Sequence, residues 1–304
     1  AEFVGESGES LTWLSPETHE LERLNLPVRD YDRVALSPDS RFAAIERRSS
    51  GERAGDIYLM NLEDGTEQRF TYNHPINRVP TWIRDGRIFY AGGPQGLSNV
   101  YAKNADGSGV EQLVVENGDF PTVSEDGKWV AYVRMRRHEN LFATNLETGE
   151  EIAVDTTDLK TNDPAISPNG RWIAFSADPQ YGPRVSQQQR VYVRSFPDPS
   201  GLYQLVSDTH GDDPTWSPDG KWLYYRSRGE IFRVAVSTEG TFQKLSLPES
   251  IGSFSGITVR LAADRRSGRL LVIHPGEASA SRETRLTLFD GFPRLLQELA
   301  PPGK

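Results

Sequence analysis

Polar side chains, most of them acidic, recur at one place in a repeated strand, just before a Pro-x-Trp or similar segment. The set is Asp32, Arg78, Asp119, Asn162 with Asp163, and Asp212 with Asp213, and His210 is included because it closely precedes the last pair. If these strands converge on one axis, the side chains form a negatively charged mouth, suited to a divalent cation such as calcium or to a basic peptide. The alternative interpretation is structural, with each side chain capping a turn or bonding the backbone of the neighbouring sheet.

The histidines offer a second kind of chemistry. The chain has five, at positions 19, 74, 138, 210 and 274. His74 and His210 occupy similar places before a repeated strand, and together with Asp212 they could supply imidazole and carboxylate ligands. Because no close ligand spacing supports such a site, the sequence assigns no metal. We expect no cofactor, and a divalent cation in the central channel stays as the open alternative.

Two loops form a candidate protein-binding surface. One carries a basic cluster that includes Arg136 and Arg137, and the other carries Tyr181 and Arg184. Arginine and tyrosine are enriched at the energetic centres of protein interfaces, so this loop pair is a candidate partner site. The alternative is that these are ordinary solvated loop residues.

Catalytic motifs are weak in this chain. The segment Gly252 to Gly256 superficially resembles a nucleophile elbow, but its serines are misplaced for Gly-x-Ser-x-Gly and no helix is predicted after it. The chain has no cysteine, which removes thiolate nucleophiles and thiolate metal sites. The sequence therefore favours a noncatalytic function, while carboxylate catalysis at the predicted mouth stays open.

A repeated turn organises the strands that carry these residues. Six copies begin at Ser37, Arg84, Ser124, Ser167, Ser217 and Asp264. The clearest copy, Ser217-Pro218-Asp219-Gly220, combines a proline that presets φ, an aspartate that bonds its own backbone and a glycine for the left-handed position. The copies recur about every 41 to 50 residues, which is the interval of a four-stranded β-propeller blade. The prediction is an all-β fold with six blades.

The chain ends suggest how the ring closes. Residues 11–14 and 21–24 look like the third and fourth strands of a blade that lacks its first two. We predict that these N-terminal strands complete the last blade, which removes two open sheet edges. Seven blades are the alternative, if the strand near Leu286 belongs to a separate partial blade. Residues 11–304 are predicted to be one domain, with residues 1–10 as a tail or cloning remnant.

Charge and hydropathy limit the partners. The net charge is −9 and no long basic run is present, so nucleic-acid binding is not expected. No segment approaches the roughly 20 apolar residues of a membrane span, so direct membrane insertion is not expected either. We expect a monomer.

The repeats resemble the TolB-type six-bladed propeller. The resemblance rests on Trp82 and Trp216 before the turns, on the Ser-Pro-Asp-Gly turns and on third-strand patterns such as Asp56-Ile57-Tyr58. The chain is also similar to the propeller region that follows the kinase or winged-helix domain of bacterial one-chain sensors, which tends to carry a segment like Val191 to Pro197. This resemblance implies a bacterial sensor or protein-interaction module outside the cytoplasm, in the periplasm or beyond the cell.

Two functions follow as expectations. The first is a noncatalytic propeller that binds a protein, a peptide or a small ligand on the face where the second-to-third connections are long. The second is an enzyme, a sugar lyase or hydrolase, with its site at the channel mouth.

Overall fold

The computed structural model describes residues 8–48, 55–94, 97–136, 138–155, 157, 159–178, 189–254 and 260–275, and the side chains of 135–139 lie outside this description. Every regular element in these ranges is a strand. None of the described residues belongs to a helix that is long and apolar enough to span a membrane.

The strands are short and follow one another at a regular interval. In chain order they are β1 (Glu9–Leu14), β2 (Leu21–Arg23), β3 (Tyr31–Leu36), β4 (Phe42–Arg48), β5 (Gly55–Asn61), β6 (Glu67–Arg69), β7 (Ile76–Trp82), β8 (Arg87–Gly93), β9 (Asn99–Asn104), β10 (Gln112–Val115), β11 (Asp119–Val123), β12 (Trp129–Arg136), β13 (His138–Asn145), β14 (Glu151–Asp155), β15 (Lys160–Ile166), β16 (Trp172–Asp178), β17 (Arg190–Ser195), β18 (Gln204–Leu205), β19 (Asp212–Trp216), β20 (Trp222–Ser227), β21 (Glu230–Ser237), β22 (Gln243–Lys244), β23 (Glu249–Ser253), β24 (Arg260–Ala263) and β25 (Leu270–Pro275).

These strands form six antiparallel sheets, which are the blades of a propeller. Blades 1 to 4 take β3–β6, β7–β10, β11–β14 and β15–β18, blade 5 takes β19–β23, and blade 6 takes β24, β25, β1 and β2. The first strand of each blade contacts the first strands of both neighbouring blades, including β24 with β3. The predicted six-bladed ring is therefore confirmed.

Blade 6 joins the two ends of the described chain. β1 pairs with β25 from Glu9 opposite Pro275 to Leu14 opposite Leu270, and β2 pairs with β1 on the outside. This is the predicted closure by N-terminal strands. The pairing begins at Glu9, two residues before Leu11, where we expected the domain to start. The segment near Leu286 lies outside the described residues.

The repeated turns form as their residue types dictate. In the copy at Ser217, the serine Oγ donates to Asp219 Oδ1 at 2.6 Å and accepts from the backbone N–H of Trp222 at 2.9 Å, while Gly220 has a φ of 69°. In the degenerate copy, Asp264 replaces the serine and accepts from the N–H of Arg266 at 2.9 Å. The turn keeps the backbone bond from the N–H of its first residue to the carbonyl five residues on, at 2.8 Å for Asp264, while the aspartate side chain accepts N–H groups within the turn.

Two details of the strands differ from what the sequence indicates. The basic cluster around Arg136 was expected in a loop, but β12 and β13 stay paired until Arg136 opposite His138. In blade 5 the fourth strand has two pieces, because β22 pairs with the end of β21 and β23 pairs with its beginning. Local composition does not reveal either difference, since both depend on how far strand pairing continues.

Candidate functional site

The inner strands share a bulge that turns one residue toward the axis. Antiparallel pairing to the second strand shifts register near the start of the inner strand in blades 1 to 5. We call the axial position the residue four places before the turn serine or its counterpart, which is Ile83 in blade 2 and Asp264 in blade 6. The axial residues are Arg33, Val79, Phe120, Asp163, Asp213 and Arg260, and all six line a cavity of about 150 Å³ on the channel axis. That volume suffices for several water molecules.

The backbone conformation at the axial position depends on whether the next residue is a proline. In blades 2 to 5 a proline comes next, and Val79, Phe120, Asp163 and Asp213 have φ between 50° and 56°. Bulges of this kind redirect a side chain at the cost of local strain, and such strain is common where side chains are aimed at a site.

Arg33 crosses the channel from blade 1 to the opposite side. Its Nη2 donates to Asp163 Oδ1 in blade 4 at 2.7 Å, and its Nη1 donates to Asp213 Oδ1 in blade 5 at 2.6 Å. The guanidinium is well buried, with 15% of the side chain exposed. Burial alone would lower the pKa of Arg33, but Asp163 and Asp213 raise it well above its usual value. Arg33 therefore closes the channel as a permanently charged cross-link between three blades.

The other carboxylates of the predicted ring are also bound by arginines. Asp119 pairs with Arg78 of the neighbouring blade. Asp212 pairs with Arg226 on the next strand of its own blade. Asp32 pairs with Arg48 and also lies near Arg260. The Nε atom of Arg260 is 3.5 Å from Asp32 Oδ1 and 4.0 Å from Asp213 Oδ2.

The expected excess of negative charge at the mouth was therefore wrong. Every carboxylate in the predicted set contacts an arginine, so the ring is a mixed-charge network. Our sequence reasoning missed Arg33 and Arg260 because it looked for acids before a Pro-x-Trp segment. Val34 and Leu261 replace that proline in blades 1 and 6. Counting back four residues from each turn would have found both arginines.

Phe120 gives the network an aromatic wall. The guanidinium of Arg33 lies 5.5 Å from its ring centroid and that of Arg78 lies 5.8 Å away. An aromatic face holds a cation in this range by electrostatic attraction to its π-electrons. Phe120 thus helps to position two arginines whose carboxylate partners belong to different blades.

Burial and neighbouring charges shift the pKa values of these acids in different directions. Burial, together with the charges of Asp213 and Asp163, raises the pKa of Asp212 to about 6, although Arg226 opposes the shift. For Asp163 and Asp32, burial would also raise the pKa, but the surrounding arginines outweigh it and lower both values. Burial and the charge of Asp32 raise the pKa of Glu46 to about 7.

Glu46 makes stability depend on pH. Its Oε2 accepts the N–H of Val79 at 3.1 Å, beside Asp32, Arg33 and Arg48. Because the folded pKa lies above the unfolded value, the folded protein binds a proton more tightly, and stability should fall as pH rises from about 4.5 to about 7. The substitution Glu46→Gln should flatten this slope. Urea unfolding of both proteins at several pH values across this interval would measure it.

Asp212 and Glu9 also have raised pKa values and act in the same direction, so the difference between the two proteins is the informative quantity. A Glu46→Gln protein with the same slope as the parent would contradict the assignment. Exposed Glu63→Gln, on the turn face, is the matched control and should leave the slope unchanged.

His74 and His210 each contact residues of their own part of the ring. His74 Nε2 lies 2.8 Å from Glu111 Oε1, and its ring stacks on Tyr101 at 4.1 Å, both in blade 2. His210 precedes blade 5, and burial and the nearby charges of Arg228 and Arg226 lower its pKa. Within the described ranges, no three histidine or acidic side chains are grouped so that they could hold a metal ion.

The remaining predicted site residues fall into two groups. Asn162 uses its backbone carbonyl to accept the hydroxyl of Ser176 at 3.1 Å, next to the axial Asp163. The predicted partner loop cannot be placed, because Arg137, Tyr181 and Arg184 lie outside the described residues, as does the side chain of Arg136.

The opposite end of the channel is also crossed by an arginine. Arg265, in the degenerate turn of blade 6, lies 2.8 Å from Glu125 Oε1 of blade 3 and donates to the carbonyl of Trp82 in blade 2 at 3.3 Å. Arg84 Nε donates to the other oxygen of Glu125 at 2.8 Å. Ion pairs between distant blades thus hold both ends of the channel.

Sequence comparison agrees with this architecture. The sequence model of the TolB beta propeller domain matches residues 33–191, which is more than half of the chain. The chain belongs to the TolB β-propeller family. An uncharacterised protein of Agrobacterium fabrum is 31% identical to this TolB-family propeller over 134 residues. That alignment covers 42% of the chain and 44% of the relative, so the chain spans less than half the length of this relative.

Solved structures share the fold of this TolB-family propeller at low identity. An Agrobacterium tumefaciens protein assigned to TolB superposes with a TM-score of 0.71 at 15% identity, covering 90% of this chain and 99% of that one. The oligogalacturonate lyase of Vibrio parahaemolyticus superposes with a TM-score of 0.54 at 10% identity, covering 90% and 99%. At these identities the likeness concerns the fold alone, and the fold hosts both a TolB and an enzyme.

Proposed function

We propose that this TolB-family propeller is a noncatalytic binding module, a sensor or interaction domain that binds a protein, a peptide or a small ligand over the channel mouth at the axial residues. The observation that carries the proposal is the mutual pairing of acids and arginines in the axial network. Such pairing gives a rigid platform that presents both signs of charge, which favours recognition of a polar partner.

The position of the connections supports the same face. The second strands of blades 1 and 4 end at Arg48 and Asp178, on the side where the inner strands begin, and six and eleven residues of sequence separate them from the third strands at Gly55 and Arg190. Long connections on one side of a rigid scaffold are common binding elements. From the resemblance to TolB-type propellers we propose that the protein works in the periplasm or outside the cell, and that it acts as a monomer.

Thermal unfolding with defined probes tests the proposal. A ligand that binds only the folded protein raises its unfolding temperature as its concentration rises. The probes are a basic peptide, an acidic peptide, an oligogalacturonate, Ca²⁺ and Mn²⁺. A cation would have to displace an arginine from its carboxylate, so we expect a polar peptide to give the larger increase.

A matched pair of variants locates the response. Phe120→Ala changes the wall of the mouth and should abolish the increase, whereas Leu202→Ala, at a leucine that is 82% exposed on the outer edge of blade 4, should retain it. An increase that survives in Phe120→Ala would place binding elsewhere. If none of the probes raises the unfolding temperature, the proposal fails for this ligand range.

The second candidate function is a sugar lyase or hydrolase with its site at the same mouth. It is favoured by the raised pKa of Asp212, because an acid that titrates near pH 6 suits proton transfer. Incubation with oligogalacturonate, followed by chromatography of the products, tests it. Turnover that disappears in Asp119→Asn/Asp212→Asn, with folding intact, would favour the enzyme over the binding module.

A further inference from the structure

On the face that carries the repeated turns, one residue of each of blades 1 to 5 lies over the seam between that blade and the preceding one. This residue follows the last third-strand residue that pairs with the second strand. Its N–H donates to the carbonyl of the residue that precedes the second strand, at 2.7 to 3.0 Å. We call this the cover position. It is occupied by Leu62, Ala105, Leu146, Phe196 and Val236 in blades 1 to 5.

Aromatic side chains fill two of these seams. Between blades 3 and 4, the cover residue Phe196 meets Trp129 edge to face, with ring centroids 5.6 Å apart. Between blades 4 and 5, Phe242 fills the seam beside Val236 and meets Trp172 at 5.5 Å and Trp216 at 6.4 Å. In both seams a phenylalanine ring packs against tryptophan rings of the blades.

The seam between blades 1 and 2 lacks such a ring. Its cover residue is Ala105, and a groove of about 540 Å³ remains there. Its apolar floor consists of Phe42, Leu59, Trp82 and Ala105. The volume lies within the range of pockets that bury a small ligand or a large side chain.

Trp82 gives a second sign that this seam is incompletely packed. The equivalent tryptophan of blade 5, Trp216, donates its indole N–H to the carbonyl of Ala165 at 2.9 Å. The indole Nε1 of Trp82 is buried and has no hydrogen-bond partner among the described residues. Leaving a buried donor unpaired is unfavourable, so closer packing of this seam would offer a gain.

The rim of the groove is acidic. Glu67 and Asp106 line it, and no basic residue is among the described residues of its lining. Glu67 is engaged by Arg47 at 3.0 Å, whereas Asp106 is exposed and accepts the N–H of Ser108 at 2.8 Å. A positively charged neighbour of the occupant would therefore be attracted to this rim.

We propose that the groove between blades 1 and 2 binds an aromatic side chain from a partner protein, inserted next to lysine or arginine residues of the same segment. In this seam the aromatic ring would come from another molecule, whereas Phe196 and Phe242 fill the other two seams from within this chain. This site lies on the turn face, away from the axial mouth on the loop face, so its test is independent of the function proposed above.

Nuclear magnetic resonance of the tryptophan indole groups tests the proposal. The probes are two capped tripeptides, acetyl-Lys-Phe-Lys-amide and acetyl-Lys-Ala-Lys-amide. The Trp82 indole signal, assigned by its loss in Trp82→Phe, should shift with the first probe. The second probe should bind at least about tenfold more weakly, because it buries no ring.

Filling the groove from within should block the probe. Ala105→Phe copies the cover residue of blade 4 and should abolish the shift, with an unfolding temperature equal to or above that of the parent. If this variant does not fold, Ala105→Leu copies blades 1 and 3 and should weaken binding. Leu146→Phe changes the cover position of blade 3 and is the control that keeps the shift. Equal shifts with both probes, no shift at all, or a shift that survives in folded Ala105→Phe would overturn the proposal.

Discussion

Replacing Arg33 with methionine is expected to lower the free energy of unfolding by about 3 to 5 kcal/mol, the usual cost of breaking one side of a buried ion pair. The variant leaves Asp163 and Asp213 without the guanidinium that joins them at 2.7 and 2.6 Å. Asp163 is buried, and its low pKa depends on the arginines around it. Chemical denaturation near neutral pH measures the loss.

The pH dependence of this loss identifies its cause. Without Arg33, the folded pKa of Asp163 should rise relative to the parent, because Arg33 is the strongest of the arginine charges that lower it. Protonation then relieves the buried charge, so the variant should regain stability relative to the parent as pH falls. A loss that is the same at acidic and neutral pH would indicate disrupted packing instead of unpaired carboxylates.

An exposed pair provides the control for this experiment. Arg84 bonds Glu125 with 67% of its side chain exposed, and Glu125 keeps Arg265 when Arg84 is removed. Surface ion pairs contribute little because water already solvates both charges, so Arg84→Met should cost no more than about 1 kcal/mol. Equal losses in Arg33→Met and Arg84→Met would contradict the role of Arg33 as a buried cross-link.

Features that depend on a few consecutive residues were predictable from the sequence. The Ser217 turn uses a serine hydroxyl, an aspartate and a left-handed glycine, all within five residues. The repetition of that turn gave the number of blades, and the unpaired strands before Leu24 gave the closure. Each of these rests on local hydrogen bonding or on the need to cover a sheet edge.

Features that depend on distant residues were not predictable in the same way. The carboxylate partners of Arg33 follow it by 130 and 180 residues, so its position in the chain gives no sign of an ion pair. The predicted set included Asp163 and Asp213, which line the axial cavity, but it left out Arg33 and Arg260, which line the same cavity from other blades. The groove beside Ala105 appears only when equivalent seams are compared in three dimensions.

The closing strand β1 is the other place where one residue should matter greatly. Its side chains alternate between two neighbours. Leu11 and Trp13 pack in the cluster shared with blade 1, and Leu14 packs with Tyr224, Ile231 and other residues of blades 5 and 6. β1 is therefore packed on both faces, and it is also the strand that joins the chain ends.

Shortening Leu14 to alanine is accordingly expected to lower the free energy of unfolding by about 2 to 5 kcal/mol, because the side chain is fully buried and its removal leaves a cavity between two blades. Leu21→Ala is the matched control, since Leu21 belongs to the same hairpin but is 55% exposed, and it should change stability by no more than about 0.5 kcal/mol. Denaturant unfolding followed by tryptophan fluorescence measures both. A small loss for Leu14→Ala, with one sharp transition, would mean that the ring holds together without tight packing at the seam where it closes.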